Sequence, residues 1–176
     1  MPAWLAEVSK VAAALAFLAL CARTSLPLGF TPVPLSLQPF GLLAVGLLLT
    51  PRRAATTLVA YLGLGAAGLP VLAPGIAGLA HFLSPTAGYL AAYPLVAVAA
   101  SVLSRRMGRG YAACLAAAAV AELLLLSSGA VWLAVSLHLP LATAVSLGIV
   151  PFLPGDALKI VAAASLVSGW LRLRRQ

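Results

Sequence analysis

The stretch that decides the fold is residues 87–128, which read AGYLAAYPLVAVAASVLSRRMGRGYAACLAAAAVAELLLLSS. It contains two apolar segments, 87–104 and 111–128, separated by a short turn that carries three arginines. A helix of about 20 apolar residues crosses the hydrocarbon core of a bilayer. The stretch therefore predicts two transmembrane helices joined by a basic turn.

The composition of the whole chain extends this prediction. Of 176 residues, 63% are apolar and 8% are charged, and the mean hydropathy is +1.11. An average soluble domain has about 25% charged residues. One water-soluble core cannot hide so much apolar surface, so the sequence excludes an ordinary soluble protein. It predicts an all-α integral membrane protein.

The positive charges predict the topology. The net charge is +8, and eight of the nine arginines fall into three groups. Because short basic loops stay in the cytoplasm, every second connection is expected there, with both termini. A seventh crossing at 131–150 would move the last group outside and is not expected. The charge is thus assigned to topology and lipid contacts, not to nucleic acid.

The arginine groups are Arg52 and Arg53; Arg105, Arg106 and Arg109; and Arg172, Arg174 and Arg175. The six predicted spans, which form a single membrane domain over residues 1–176, are 4–22, 37–50, 54–72, 87–104, 111–128 and 155–171.

The first span could be mistaken for a cleaved signal, because Lys10 precedes an apolar run that ends near Cys21. The small residue expected before a lipoprotein cysteine is missing, so we expect the segment to be retained. Cys21 and Cys114 are predicted at opposite ends of their spans. A disulfide between them is not expected.

The outer connections, 26–36, 69–86 and 132–154, are apolar and interrupted by proline. Non-helical backbone survives at membrane depth only where protein or a cavity satisfies its polar groups. We therefore predict that these proline-rich loops are lids over a site on the outer side. Amphiphilic loops that rest in the membrane interface are the alternative.

Asp156 and Lys159 are the strongest candidates for a site. The i, i+3 spacing places them on one helix face, and charged groups inside a span need a partner or a purpose. They could bind a small polar ligand, or Lys159 could simply pair with an acid at the positive end of the helix. Gln38 and Trp132 are candidates to line the same cavity or to anchor the chain at the interface.

Other residues leave their roles open. Glu122 lies inside the fifth span with no basic neighbour one turn away along its helix, and its partner stays unassigned. Arg23 either reaches to lipid headgroups or attracts an anionic solute. Ala12 and Ala16 are small residues four apart, which let a partner helix come close, although such a pattern arises easily in an alanine-rich chain.

Several functional motifs are missing from the sequence. No Gly-x4-Gly-Lys-Ser/Thr segment occurs, so this chain has no P-loop for ATP. No His-Glu-x-x-His occurs, and two histidines with two distant cysteines make a poor zinc set. No metal and no cofactor are therefore expected in this chain. An intramembrane hydrolase would have to use Ser127 or Ser128 with His138, whose spacing nothing constrains.

Four ordered motifs carry a resemblance to a known family. They are TPVPLSLQ at 31–38, GLGAAGLPV at 63–71, LSPTAGYL at 83–90 and PFLPGDALK at 151–159. Together they resemble the biotin-specific substrate-binding (S) subunits of energy-coupling factor transporters, the BioY family. The likeness runs from about Arg23 to Ser168. The chain departs from the family at Ala87, where glycine is usual.

The resemblance implies a six-helix subunit, not an enzyme, that captures biotin from outside the prokaryotic cell membrane. It implies partnership with a transmembrane coupling subunit and two ATPases, which hydrolyse the ATP. Asp156 and Lys159 match the family's biotin-contacting acid and lysine, and Tyr89 with Thr86 and Gly88 matches its Pro-Thr-x-Gly-Tyr segment. Ala12 and Ala16 would dock on the coupling subunit. Another vitamin, such as thiamine or riboflavin, is the alternative ligand within transport.

Overall fold

The computed structural model describes residues 3–74 and 78–174 as a helical bundle. Arg175 of the third arginine group lies outside these residues. Two two-residue strands, β1 (Ser25–Leu26) and β2 (Leu35–Ser36), pair antiparallel in the first predicted outer connection. A 3-10 helix, Gly78–Leu83, lies in the second. The α-helices are α1 (Ala3–Arg23), α2 (Gln38–Leu48), α3 (Pro51–Ala66), α4 (Ala87–Arg106), α5 (Tyr111–Ser136), α6 (Leu141–Gly148) and α7 (Leu153–Leu173).

Each of the six predicted spans overlaps a helix, although α2 is shorter than predicted and α3 both begins and ends earlier than predicted. Two of these helices, α4 and α5, are long and apolar enough to cross a membrane. A third span is possible if α6 and α7, which bend by 55° at their break, are counted together. Only helices within residues 3–74 and 78–174 enter this comparison of helix length and apolarity. The mostly helical fold with two or three candidate membrane spans is therefore confirmed, whereas six crossings and cytoplasmic termini stay predictions.

The prediction of a loop over 132–154 is wrong. Helix α5 continues to Ser136, and the separate helix α6 follows the turn that contains His138 and Pro140. His138 has a φ of 53°, a left-handed conformation that ends the helix, and Pro140 begins the next one. The eight residues of α6 extend about 12 Å, which is too short for a seventh crossing.

Helices α4 and α5 form the centre of the bundle. Helix α4 packs against α2, α3 and α5, while α7 packs against α2 and α5. Small residues allow close helix approach: a Cβ added at Gly46 of α2 would lie 2.9 Å from the Ala97 carbonyl oxygen of α4. A larger residue at position 46 would separate these two helices.

The arginines of the first two groups lie at one end of the bundle. The Arg109 guanidinium donates to the backbone carbonyls of Leu47 and Leu48, at 3.0 and 3.2 Å, where α2 ends. Arg53 pairs with Glu7 near the start of α1. These contacts bring the start of α1, the α2–α3 turn and the α4–α5 turn together, as the charge pattern predicts. We call this region the arginine end.

Large apolar side chains cover the outer surfaces of α4, α5 and α7. Exposed examples are Leu95 of α4, Val120 and Leu123 of α5, and Leu158 and Leu166 of α7. Their exposed fractions run from 52% to 73%. A bundle with apolar residues both inside and outside matches a lipid environment.

Candidate functional site

A cavity of about 290 Å³ lies at the start of α4 and of α7, away from the arginine end. Helices α2, α4, α5 and α7 supply Gln38, Tyr89, Tyr93, Glu122, Asp156 and Lys159 to its lining. Residues from the first two predicted outer connections complete it, among them Pro32, Val33, Pro74 and His81. This placement agrees with the predicted position of the loops, whereas their action as lids stays a prediction.

The charged centre of the cavity is the pair of Asp156 and Lys159. The Lys159 ammonium donates to Asp156 Oδ1 over 2.8 Å, and their side chains are only 9% and 4% exposed, respectively. Pro154 lies in the first turn of α7 and the backbone N–H of Asp156 donates to Phe152, so the helix starts just before the acid. The predicted pairing on one helix face is confirmed. An ion pair this buried offers both an acceptor and a donor to a polar ligand.

Gln38 lines the cavity from the first turn of α2 and is held by a tyrosine. Its side-chain nitrogen donates to the Tyr61 hydroxyl over 3.0 Å, and that hydroxyl donates to the Val71 carbonyl over 2.7 Å. Tyr61 is fully buried and stacks against Tyr93, with ring centroids 6.5 Å apart. This network fixes the Gln38 amide and ties residue 71 of the second connection to α3.

Thr86 lines the cavity just before α4. Its hydroxyl shares a hydrogen bond of 2.8 Å with the Ser84 hydroxyl, which in turn lies 2.7 Å from the His81 carbonyl. His81 is buried and also lines the cavity. The turn before α4 is therefore held by its own side chains, which places three polar residues at the cavity wall.

Two glycine–aromatic contacts position Tyr89. A Cβ at Gly129 of α5 would lie 2.0 Å from the Tyr89 ring, and a Cβ at Gly88 would lie 2.1 Å from Trp132 Cβ. The Tyr89 hydroxyl donates to the Gly148 carbonyl at the end of α6 over 2.7 Å. Each helix thus provides a glycine for the other's aromatic ring, which keeps Tyr89 beside the cavity.

Of the seven residues predicted to bind ligand, Gln38, Thr86, Tyr89, Asp156 and Lys159 line the cavity. Gly88 and Trp132 instead pack against each other behind it. The Trp132 indole donates to the Ser84 carbonyl over 3.0 Å, so this residue holds the turn before α4. Because Trp132 belongs to α5 and not to a loop, its ring is committed to helix packing.

Sequence reasoning missed several cavity residues. They are separated along the chain and carry no shared motif, so only the tertiary fold brings them to one wall. The sequence predicts Glu122 inside the fifth span without a basic neighbour on its helix, and the structure places it in the cavity with a residue exposure of 1%. Among the missed residues are His81, Tyr93, Leu125, Leu126 and Phe152.

The geometry of the described residues supports neither the intramembrane hydrolase nor a metal site. The Ser128 hydroxyl donates to the Gly88 carbonyl over 2.9 Å, while His138 is exposed in the turn after α5. No hydrogen bond joins these two residues, both of which are described. Within residues 3–74 and 78–174, no three His, Cys, Asp or Glu side chains cluster in a way that could hold a metal ion.

The small-residue pair of α1 belongs to a helix that supplies no residue to the cavity lining. Ala12 and Ala16 are both exposed, and so are Val8 and Leu20 one turn to either side. These four residues form a continuous apolar stripe, which we call the α1 stripe. It is available to lipid or to another helix.

Comparison with known proteins agrees with this fold. The chain is 36% identical over 157 residues to a probable biotin transporter BioY of Pyrococcus horikoshii, covering 89% of this chain and 91% of that one. It is 38% identical over 147 residues to the biotin transporter BioY of Rhizobium etli, covering 79% and 78%. A crystal structure of the S-component for biotin from an ECF-type ABC transporter superposes with a TM-score of 0.89 and 29% identity, covering 100% of this chain and 95% of that one. The BioY family model matches residues 2–176, and the chain therefore belongs to the BioY family.

Proposed function

We propose that this protein is the biotin-binding S subunit of an energy-coupling factor importer and captures biotin in the cavity described above. One observation carries the proposal: a buried Asp156–Lys159 ion pair stands in a mostly apolar cavity of a fold that matches a biotin S-component. The chain contributes binding and transport, not catalysis. The cavity volume of about 290 Å³ is close to the lower end, roughly 300 Å³, of the range for small-molecule sites.

The chemistry of biotin fits the groups in the cavity. Its ureido ring has two N–H donors and a strong carbonyl acceptor, and its valerate chain ends in a carboxylate. Lys159 can donate to an oxygen of the ligand, and Asp156 can accept from an N–H. Leu125, Leu126 and Phe152 offer apolar walls for the thiophane ring and the methylene chain. Gln38, Thr86 and Tyr89 complete the proposed site.

The remaining parts of the importer are assigned to partners. With no P-loop in this chain, ATP hydrolysis belongs to ATPase subunits, which a transmembrane coupling subunit connects to this one. We place the chain in the prokaryotic cell membrane with six crossings and the arginine end in the cytoplasm. Biotin then reaches the cavity from the outer side, where the proline-rich connections act as lids.

Equilibrium binding across a vitamin panel tests the ligand. Purified protein in detergent or nanodiscs is dialysed against radiolabelled biotin, thiamine and riboflavin at micromolar concentration. We expect saturable binding of biotin alone. Binding of thiamine or riboflavin in its place would reassign the substrate, and no binding of biotin by folded protein would refute the proposal.

The α1 stripe is proposed as the docking face for the coupling subunit. Replacing Ala12 or Ala16 with Trp should reduce ATP-driven biotin uptake at least about fivefold, because close helix contact needs small residues. Biotin affinity should stay within about twofold, since the stripe does not line the cavity. Ala162→Trp, at an exposed alanine of α7, is the matched control and should spare uptake. A loss of affinity in the α1 variants would instead place these alanines in the binding fold.

A further inference from the structure

Glu122 is a buried acid whose role in the cavity is unassigned. Its residue exposure is 1%, and it lines the cavity from the middle of α5. Within the part of the chain that the structure describes, neither of its carboxyl oxygens has a hydrogen-bond partner. A carboxyl group inside a membrane helix is costly, so an unpartnered one marks a functional position.

The other polar groups around the cavity already have partners. Asp156 is paired with Lys159, the Gln38 amide is bonded to Tyr61, and the Tyr89 hydroxyl is bonded to a backbone carbonyl. Glu122 differs from all of these: its polar neighbour is the Asp156 carboxylate, which offers its oxygens no hydrogen and already accepts from Lys159. Its free hydrogen-bonding capacity therefore points to the ligand.

The charge balance decides the form in which Glu122 acts. Asp156 and Lys159 neutralise each other across 2.8 Å, so an ionised Glu122 would leave the cavity with an uncompensated negative charge. Such a charge is expensive in a dry site, and an anionic ligand would increase the repulsion. A protonated Glu122 avoids both costs. It then presents an O–H donor beside a C=O acceptor.

We propose that Glu122, as a neutral carboxylic acid, binds the ureido ring of biotin through two parallel hydrogen bonds. The acid O–H donates to the ureido carbonyl in place of the neighbouring Asp156 carboxylate, and the acid C=O accepts from the adjacent ureido N–H. The two edges match because each has one donor and one acceptor on neighbouring atoms. This assignment rests on the proposed function and adds a recognition group to it.

The surroundings of Glu122 strengthen these bonds. Leu125 and Leu126 lie three and four residues further along α5, on the same helix face, and Tyr93 approaches from α4. These side chains keep water away from the carboxyl group, and hydrogen bonds are stronger where water is excluded. A hydrophobic wall with one acid is therefore suited to select a cyclic urea.

Binding of biotin and 2-iminobiotin to two variants tests the assignment. In 2-iminobiotin a guanidinium, cationic at neutral pH, replaces the ureido group. Glu122→Gln keeps a donor and an acceptor but cannot ionise, whereas Glu122→Leu removes both. Glu7→Gln, at a 41% exposed acid of the arginine end, is the matched control.

We expect Glu122→Gln to keep biotin affinity within about threefold, because an amide has the same donor–acceptor edge. The same variant should lower the affinity for 2-iminobiotin at least about tenfold relative to that for biotin. The reason is that wild-type Glu122 can lose its proton to water and pair with the cation, whereas glutamine cannot. Glu122→Leu should lower the affinity for biotin at least about tenfold. Glu7→Gln should change neither ligand.

Other results overturn the assignment. Equal effects of Glu122→Gln on the two ligands, or a tenfold loss of biotin in that variant, would refute a neutral acid at the ureido ring. Unchanged biotin affinity in folded Glu122→Leu would do the same, and if that variant does not fold, the Gln comparison decides. If wild-type protein binds biotin but the variants behave differently from this expectation, only the role of Glu122 falls. If wild-type protein binds no biotin, the proposed function falls as well.

Discussion

The arginine end and the cavity hold similar ion pairs in different surroundings. At the arginine end, Glu7 and Lys10 pair over 3.1 Å with exposed fractions of 41% and 49%. In the cavity, Asp156 and Lys159 pair over 2.8 Å and are almost completely buried. Exposed pairs contribute at most about 1 kcal/mol, whereas breaking a buried pair costs about 3–5 kcal/mol. We therefore propose that charges at the arginine end orient the chain, whereas the buried pair in the cavity binds the ligand.

The glycines of the two regions show the same contrast. Gly129 lies against the Tyr89 ring beside the cavity, while Gly169, near the end of α7, has no atom within 4 Å of an added Cβ. One glycine is required by packing and the other is not. Paired substitutions at the two ends of the bundle can therefore test whether the site depends on burial as the structure implies.

The largest effect is expected from Lys159→Ala. Loss of the ammonium leaves Asp156 buried without its cation and removes a donor to the ligand. We expect biotin affinity to fall at least about 100-fold, or about 2.7 kcal/mol, in equilibrium binding.

Lys10→Ala is the matched control, because it breaks the exposed pair with Glu7. It should change biotin affinity less than about twofold. Similar losses in the two lysine variants would remove the distinction between the regions.

The next effect is expected from Gly129→Ala. The new methyl group would lie 2.0 Å from the Tyr89 ring, so the ring or helix α5 must move. We expect a loss of stability of about 1–3 kcal/mol, measured by thermal unfolding, and biotin binding weakened about tenfold or more. Gly169→Ala should leave both unchanged. If Gly129→Ala changed neither the thermal stability nor the biotin affinity, the glycine–aromatic contact would not position Tyr89.

A smaller effect is expected from Tyr89→Phe. The substitution keeps the ring on Gly129 but removes the hydroxyl that donates to the Gly148 carbonyl. We expect biotin affinity to fall about three- to tenfold, with about 1 kcal/mol less stability. Tyr111→Phe, at an exposed tyrosine that begins α5, supplies the comparison and should have no effect. If Tyr89→Phe binds biotin as tightly as Tyr111→Phe does, only the ring of Tyr89, and not its hydroxyl, contributes to binding.

The smallest effect on binding is expected from Arg109→Gln. The variant loses the guanidinium bonds to the carbonyls of Leu47 and Leu48, so the α2–α3 turn should be less stable by about 1 kcal/mol. Biotin affinity should stay within about twofold, since the arginine end and the cavity share no side chain. A large loss of binding would mean that the two regions are coupled through α4.

Local patterns predicted part of this structure and missed part of it. The Asp156–Lys159 pair follows from i, i+3 spacing, and the helix positions follow from apolar length and arginine groups, because each is a short-range property. The packing of Trp132 on Gly88 and the cavity position of Glu122 depend on how α4, α5 and α7 meet. Helix α6 was missed because prolines 140, 151 and 154 mark breaks without showing that helix fits between them.

A structure of the protein with biotin bound tests the central claim most directly. Crystals or single particles prepared with saturating biotin would show which residues touch the ligand. The account predicts biotin in the cavity between α2, α4, α5 and α7, within hydrogen-bond distance of Asp156 and Lys159. Biotin bound elsewhere, with that pair unchanged and without ligand contact, would contradict it.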